Sequence, residues 1–387
     1  MYLTAKIALK PNKEQEELFW SWANAARFVY NFSLNLKSEA YRNDRVSLSW
    51  NDITKIITSI KYDEKYRWLS EVPSETIKYA VKDMDCAFKH FFQGGGYPKF
   101  KKKSKTVPAF YTRYDKLNSI DDKHIKICGI KTPVKTYEKC LIPNKPTNPR
   151  IKFDGRYWYL TYGVEISPEN ISVQVIKNKL KTYTELQAKN SSSSLGIDLG
   201  IEHTAVCSNG KTYENINKTP EIIRLETKKK ILQKQLSRKY ELNKQGNKYI
   251  KTKNIIKLEK QIKIVQRRLN NIRNNYINQI TSEIVKTKPS KIVLENLVIS
   301  NMMKNRYLAK RIQEQNWYKI RHCIEYKATL YIIPVQLASR TYPSSKTCSQ
   351  CGYINKNLTL SDRTYICPNC GFKINRDFNA SINLSRL

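Results

Sequence analysis

Acidic residues are scarce in this 387-residue chain: 33 Asp and Glu stand against 70 Lys and Arg, a net charge of +37. A small-molecule enzyme has no use for that surplus. A polyanion does, because each phosphate neutralised by a cation releases counterions. Histidine is scarcer still. The four residues, His90, His124, His203 and His322, lie in unrelated contexts and supply no Ser/His/Asp set. No apolar run is long enough to cross a bilayer, and no amphipathic anchor is present, which sets aside an anionic membrane as the partner. The first ten residues alternate instead of forming the apolar core of a signal peptide. Five of the nine cysteines (Cys86, Cys128, Cys140, Cys207 and Cys323) are scattered, which suits a reducing cytoplasm better than an exported disulfide framework.

The other four cysteines are ordered. Cys348/Cys351 and Cys367/Cys370 form two Cys-x-x-Cys knuckles, each followed by glycine (Gly352 and Gly371). Two thiolates per knuckle, and two knuckles fifteen residues apart, give zinc-ribbon spacing, so we expect a structural Zn²⁺ here. Glycine suits the tight turn that lets backbone amides face sulfur. Seven residues past the last cysteine stands Asp377.

Along the chain, residues 2–9 alternate as a half-buried strand, and helical spacing follows from Lys13 to about Leu36. Residues 42–70 read as short helices. Ser74 is the expected cap of a helix whose stripe is Ile77, Val81, Met84, Phe88 and Phe91. Gly94–Gly96 ends it. Tyr97, Lys99, Phe100, Lys101, Lys102, Lys103 and Lys105 then mix rings with cations, as suits a nucleic-acid backbone. Strands return over 106–170, including a hairpin turned at Asp154-Gly155. These parts suggest a small β-barrel interrupted by a helical insertion.

Asn190–Ser194 reads as a linker before the second half. There, Leu195–Gly200 and Thr204–Cys207 are strands. Residues 221–273 hold seventeen Lys and Arg against four Glu. Two apolar stripes, Ile222, Leu225, Leu232, Leu236 and Leu258, Ile262, Val265, Leu269, predict a basic helical hairpin. Lys291–Val298 is a buried strand carrying Glu295. Residues 299–311 look irregular, Glu314–Lys327 helical and Leu330–Leu337 extended, and Asn379–Leu384 a short last helix.

Asp198, Glu295 and Asp377 each lie on or just after an element of one expected sheet. Three carboxylates brought together suit two Mg²⁺ ions about 4 Å apart and in-line attack on a phosphodiester. Singly each is a weak signal. Asp198 also fits the opening of an actin-like ATPase, although no phosphate-cradling glycine loop follows it.

The order of these parts resembles the TnpB (OrfB) family encoded by insertion sequences, relatives of compact type V CRISPR nucleases. The resemblance spans nearly the whole chain. It rests on Gly196-Ile-Asp-Leu-Gly200, Ile292-Val-Leu-Glu-Asn-Leu297, Tyr342-Pro-Ser-Ser-Lys-Thr-Cys-Ser-Gln-Cys-Gly352 and Asn375-Arg-Asp-Phe-Asn-Ala380, with residues 97–103 a softer match. It implies an α+β, multidomain fold: a wedge-like barrel (1–10 and 94–189), a helical recognition domain (11–93), a RuvC nuclease domain of RNase H-like fold (190–346 and 371–387, with the hairpin at 221–289) and a zinc ribbon (347–370). It also implies an RNA-guided, Mg²⁺-dependent DNA endonuclease. Asp198, Glu295 and Asp377 would be its metal-binding acids, and a guide RNA and duplex DNA its partners. A monomer in the prokaryotic cytoplasm, near the nucleoid, is the expected state. The chain ends ten residues after Asp377, short of the tail some relatives carry. A guided repressor without cleavage and a transposase acting directly on DNA are the alternatives. All three acids are present, which favours cutting.

Overall fold

The computed structural model describes residues 2–140, 142, 146–165, 193–246, 248–359 and 362–387. The chain divides into two compact units, residues 1–181 and 182–387. The expected linker residues Asn190–Ser192 lie outside the described residues.

The first unit begins with β1 (Tyr2–Lys10) and α1 (Lys13–Asp44). A reciprocal cap starts the helix. The Asn12 side chain accepts from Gln15 N–H at 2.8 Å, and the Gln15 side chain accepts from Asn12 N–H at 3.0 Å. The helix runs past the expected end near Leu36, because residues 37–44 hold neither glycine nor proline. It stops at Arg45, which adopts left-handed geometry (φ 57°). Next come α2 (Trp50–Ile60), a 3₁₀ turn (Glu64–Glu71) and α3 (Ser74–Phe92). Ser74 does not cap α3. Pro73 holds that place and supplies no side-chain bond.

Six further strands, β2 (Ala109–Tyr111), β3 (Asn118–Ser119), β4 (His124–Lys126), β5 (Val134–Thr136), β6 (Thr147–Phe153) and β7 (Trp158–Glu165), join β1 in one antiparallel sheet. The order is β2-β6-β7-β1-β5-β4-β3. The expected closed barrel is therefore corrected to an open sheet: among the described residues its edge strands β2 and β3 do not pair. Those edges are only three and two residues long. Helix α3 also packs at β2, where Thr76 donates its hydroxyl to the Tyr111 carbonyl at 2.7 Å. The Asp154-Gly155 turn forms as expected. The Asp154 carboxylate accepts from Arg156 N–H (3.1 Å) and Tyr157 N–H (3.0 Å), and Gly155 takes φ 101°. Phe19 and Trp22 of α1 pack edge-on or tilted against Phe110 and Trp158 of the sheet, with centroids 5.3–5.5 Å apart. Helices and sheet share one core.

The second unit is built on a five-stranded sheet of β8 (Ser194–Asp198), β9 (His203–Cys207), β10 (Thr212–Glu214), β13 (Lys291–Leu294) and β14 (Val335–Leu337). Its order is β10-β9-β8-β13-β14. Strands β8, β13 and β14 run parallel, while β9 is antiparallel to both neighbours. The basic hairpin forms as α4 (Pro220–Leu242) and α5 (Lys253–Lys286), with a small ribbon at its tip, β11 (Lys244–Gln245) and β12 (Lys248–Tyr249). Ile222, Leu225, Leu232, Val265 and Leu269 make its seam. Further along, α5 carries Ile277, Ile280, Ile284 and Val285 into the sheet's own core. Where the two cores meet, Arg273 is buried. It donates to Asn217 Oδ1 (2.7 Å) and Glu226 Oε1 (3.2 Å), and Glu314 lies 3.8 Å away.

After β13 the chain forms α6 (Ile299–Met302), α7 (Ala309–Gln315) and α8 (Trp317–Leu330). The single helix expected over Glu314–Lys327 is broken by Asn316, which sits in left-handed geometry at φ 53°. The expected strand Leu330–Leu337 shrinks to Val335–Leu337, because α8 persists to Leu330 and Ile332 turns the chain at φ 56°. Two short strands, β15 (Thr364–Ile366) and β16 (Lys373–Asn375), precede α9 (Arg376–Ser385). No helix among the described residues is long and apolar enough to cross a membrane.

Candidate carboxylate site and metal centre

Asp198 is the last residue of β8, and Glu295 directly follows β13. The strands are parallel with Ile197 opposite Leu294, so the two acids are the next pair in register. Asp377 enters from the first turn of α9. The Asn375 side chain caps that helix, accepting from Asp377 N–H (3.0 Å) and Phe378 N–H (3.1 Å).

Gly196 sets how closely α9 lies on β8. A Cβ at this position would meet Ser381 O at 2.0 Å and Ser385 N at 2.4 Å, both backbone atoms that cannot swing aside. The glycine of the Gly-Ile-Asp run therefore brings the helix that bears Asp377 against the strand that bears Asp198.

Asp198 and Glu295 both sense Asp377. Burial, then Glu295, then Asp377 push the Asp198 carboxyl well above its usual range, while Arg376 opposes the rise. Burial also raises Glu295, partly offset by the Ser344 hydroxyl, which donates to Glu295 Oε1, and by Arg376. Like charges drawn into a half-buried site disfavour ionisation unless a cation joins them. This donor set, all oxygen and mutually repelling, fits a hard divalent cation. The acids are not gathered so tightly that all their donor atoms lie within 4.8 Å; among the described residues, the four cysteines make the group that is.

That group contains Cys348, Cys351, Cys367 and Cys370. The Cys348 and Cys370 sulfurs stand 3.7 Å apart, and those of Cys351 and Cys367 3.6 Å. A tetrahedron with metal–sulfur bonds of about 2.3 Å has edges of about 3.8 Å, so the cage fits such an ion. The knuckles share one pattern. Gly352 N–H donates to Cys348 O (3.0 Å) and Gly371 N–H to Cys367 O (2.9 Å), with φ of 78° and 71° at the glycines. A backbone N–H from Tyr353 pulls the Cys351 thiol down to about 6. Tyr365, fully buried, donates its hydroxyl toward the carbonyls of Lys346 (3.2 Å) and Tyr353 (3.3 Å).

Two buried asparagines of α9 tie the knuckle to the acid site. Asn379 accepts from Ser349 N–H (3.0 Å) and donates to Thr347 O (2.7 Å). Asn383 donates to Ser344 O (2.8 Å) and Thr347 O (2.6 Å). Ser344 in turn holds Glu295.

Comparison with known proteins bears on this arrangement. A family model described as "Probable transposase" (OrfB_IS605) matches residues 170–306, a "Helix-turn-helix domain" of the same group (HTH_OrfB_IS605) matches 1–45, and a "Cas12f1-like, TNB domain" matches 317–384. The "Putative RNA-guided DNA endonuclease InsQ" of Escherichia coli (strain K12) is 26% identical over 98% of this chain and 90% of its own length. The chain belongs to the TnpB (OrfB) family. A second relative, the "Putative RNA-guided DNA endonuclease" of Streptomyces pristinaespiralis, is also 26% identical, over 98% of this chain and 87% of its own length. A cryo-EM Cas12f1–sgRNA–target DNA complex overlays all of this chain and 99% of its own protein chain only loosely, at 18% identity and a TM-score of 0.37. In this TnpB-family chain, the residues matched by the helix-turn-helix model form one strand and one long helix.

The basic stretch expected to touch nucleic acid divides in two. Lys101 turns inward. Its ammonium lies 3.7 Å from the Tyr30 ring centroid, burial lowers its pKa, and the Asn31 side chain clamps its backbone through bonds of 2.7 and 3.1 Å. The side chains of Tyr97, Lys99, Phe100, Lys102, Lys103 and Lys105 are exposed, although the Tyr97 hydroxyl also bonds Ser38 at 3.0 Å. Sequence reasoning missed Ser344, Arg376, Asn379 and Asn383. Ser344 lies in the Tyr-Pro-Ser-Ser run, Arg376 and Asn379 in the Asn-Arg-Asp-Phe-Asn-Ala run and Asn383 three residues beyond it, but only the acids and cysteines were read from these.

Proposed function

We propose that this protein is a transposon-encoded, RNA-guided DNA endonuclease with its cutting site at Asp198, Glu295 and Asp377. The observation that carries the reading is the convergence of these carboxylates from β8, β13 and α9: Glu295 and Asp377 both raise the affinity of Asp198 for protons, and Asp377 raises that of Glu295. Mg²⁺ ions bound there would polarise the phosphodiester and lower the pKa of the attacking water. Asp198 and Glu295 present ligands side by side, Asp377 adds a third from the helix, and the Ser344 hydroxyl fixes the Glu295 rotamer. The sheet order β10-β9-β8-β13-β14, with β9 reversed, supports an RNase H-like, RuvC-type reading. The four thiolates would hold structural Zn²⁺, since a complete sulfur cage leaves no open position for chemistry.

The wedge, recognition, nuclease and ribbon ranges given above remain our partition of the chain. The surplus of 37 positive charges suits a guide RNA and a target duplex read by base pairing. The test begins by sequencing the RNA that copurifies with the protein. Matched DNA is then supplied with Mg²⁺. Wild type cuts it, whereas Asp198→Ala binds it with the guide and leaves it whole. A wild-type complex that binds the matched DNA without cutting it would establish guided binding in place of cleavage.

A further inference from the structure

A cleft of about 320 Å³ opens beside Glu295. Its walls come from the C-terminal ends of the parallel strands: Leu199 after β8, residues 294–300 at and after β13, and Arg340 after β14. Helix α8 adds Trp317, Tyr318 and Arg321. The floor is apolar and buried, with Leu199, Leu294 and Trp317 at 7%, 0% and 4% exposure. The Trp317 indole N–H is spent on the Gly200 carbonyl (3.4 Å), which fixes the ring.

The rim has a different character. Tyr318 is 72% exposed, and its ring lies within 6° of parallel to His322, centroids 6.2 Å apart. Arg321 is oriented by Glu325 through an Nε–Oε1 bond of 2.7 Å. Arg340 is exposed on the loop beyond β14. An apolar floor, an exposed ring and two guanidiniums are three features of one ligand class: a flat heterocycle carrying a phosphate. The volume is at the low end for small-ligand sites, enough for one nucleotide and too little for a base pair. The carboxylates next door repel a free anion, so a phosphate here has to be balanced by the guanidiniums.

Resting on the nuclease reading above, we propose that this cleft is a nucleotide subsite. It takes one nucleotide of a single DNA strand beside the phosphodiester to be cut, with the base against Tyr318 and the phosphate on Arg340. The cleft thereby sets which phosphodiester reaches the acids.

Two readouts test it on the full chain with its copurified guide. In the first, Asp198→Asn complexes receive matched DNA with 4-thiothymidine placed singly along the strand near the cut. Irradiation should link one position to the tryptic peptide 312–319, which holds Trp317 and Tyr318. Crosslinks confined to other peptides overturn the subsite. In the second, cleavage is timed under single turnover. Tyr318→Ala and Arg340→Ala should each slow it about tenfold without weakening target binding. An abasic nucleotide at the crosslinking position should slow wild type by the same factor and Tyr318→Ala no further. Variants that cut at the wild-type rate, or penalties that multiply, also overturn it. Should wild type bind and never cut, the nuclease reading fails, and the crosslink alone decides the subsite.

Discussion

The cysteine cage and the carboxylate trio are both suited to metal, yet the chain builds them in opposite ways. The cage comes from one short stretch whose two knuckles repeat the same hydrogen bonds. Its sulfurs already stand at the edge lengths of a tetrahedron. The trio comes from a strand end, a second strand end and a helix start spread across the second half. Its members sit wider apart, and Asp377 raises the pKa of both Asp198 and Glu295. A local site is preorganised by its own turns. A dispersed one inherits its geometry from packing elsewhere, here from Gly196 and the asparagines of α9.

The sharpest way to break this comparison is Asp198→Asn. Cleavage should fall to background. Thermal stability without metal should rise by roughly 2–4 °C, the shift for about 1 kcal/mol in a domain of this size, since one of three repelling charges is gone. The pH dependence follows. A carboxyl whose folded pKa is raised contributes stability that is complete below its unfolded value near 4 and lost as pH climbs through the folded value. Metal-free wild type should therefore lose stability over that climb, Asp198→Asn should lose less, and Mg²⁺ at neutral pH should restore wild type alone. Calorimetry at several pH values, with and without Mg²⁺, checks this. A variant no more stable than wild type would deny that the acids strain one another.

Second in size is Cys367→Ser. It should release zinc, measured by metal analysis, and lower activity through α9 while Asp198 and Glu295 stay in register. Full activity in zinc-free protein would separate the cage from the acids. Third, Gly196→Ala should push α9 off β8 and cost about 1–3 kcal/mol or more, as overpacking against backbone does. Denaturant melts and Mg²⁺ affinity should both worsen. Unchanged Mg²⁺ affinity would mean that Asp377 does not depend on this close approach. The smallest contrast lies in the basic loop. Lys101→Ala should lower the melting temperature of the protein, because its half-buried side chain packs over the Tyr30 ring. Lys102→Ala should leave the melt alone and lower the salt dependence of nucleic-acid affinity by about one charge.

The sequence exposed what is encoded locally. The knuckles, the Asp154-Gly155 turn, the buried stripe of α3 and the two seams of the basic hairpin all read correctly, because each depends on neighbours within a few turns. Asp198 and Glu295 were named because each stands at the end of an apolar strand and Asp377 because it follows the knuckles, but their meeting needed the sheet and α9. What escaped were outcomes decided by the surroundings. Asn316 breaks α7 from α8 although the residues on both sides favour helix. The first sheet stays open because helices cover β2, and no strand pattern announces that. Lys101 looks like its neighbours on paper and differs only because Tyr30 and Asn31 wait beneath it.

Helix α5 has a mechanical consequence. At 34 residues it extends about 50 Å, and it belongs to two cores in succession, the hairpin seam and the sheet. Arg273 is anchored where one gives way to the other. The element is thus a stiff shaft with no joint at its bearing. Load applied at the Lys244–Tyr249 tip is delivered to the strands beside the acids as rotation of one rod, and amide exchange should be slowest along its lower half and fastest at the tip.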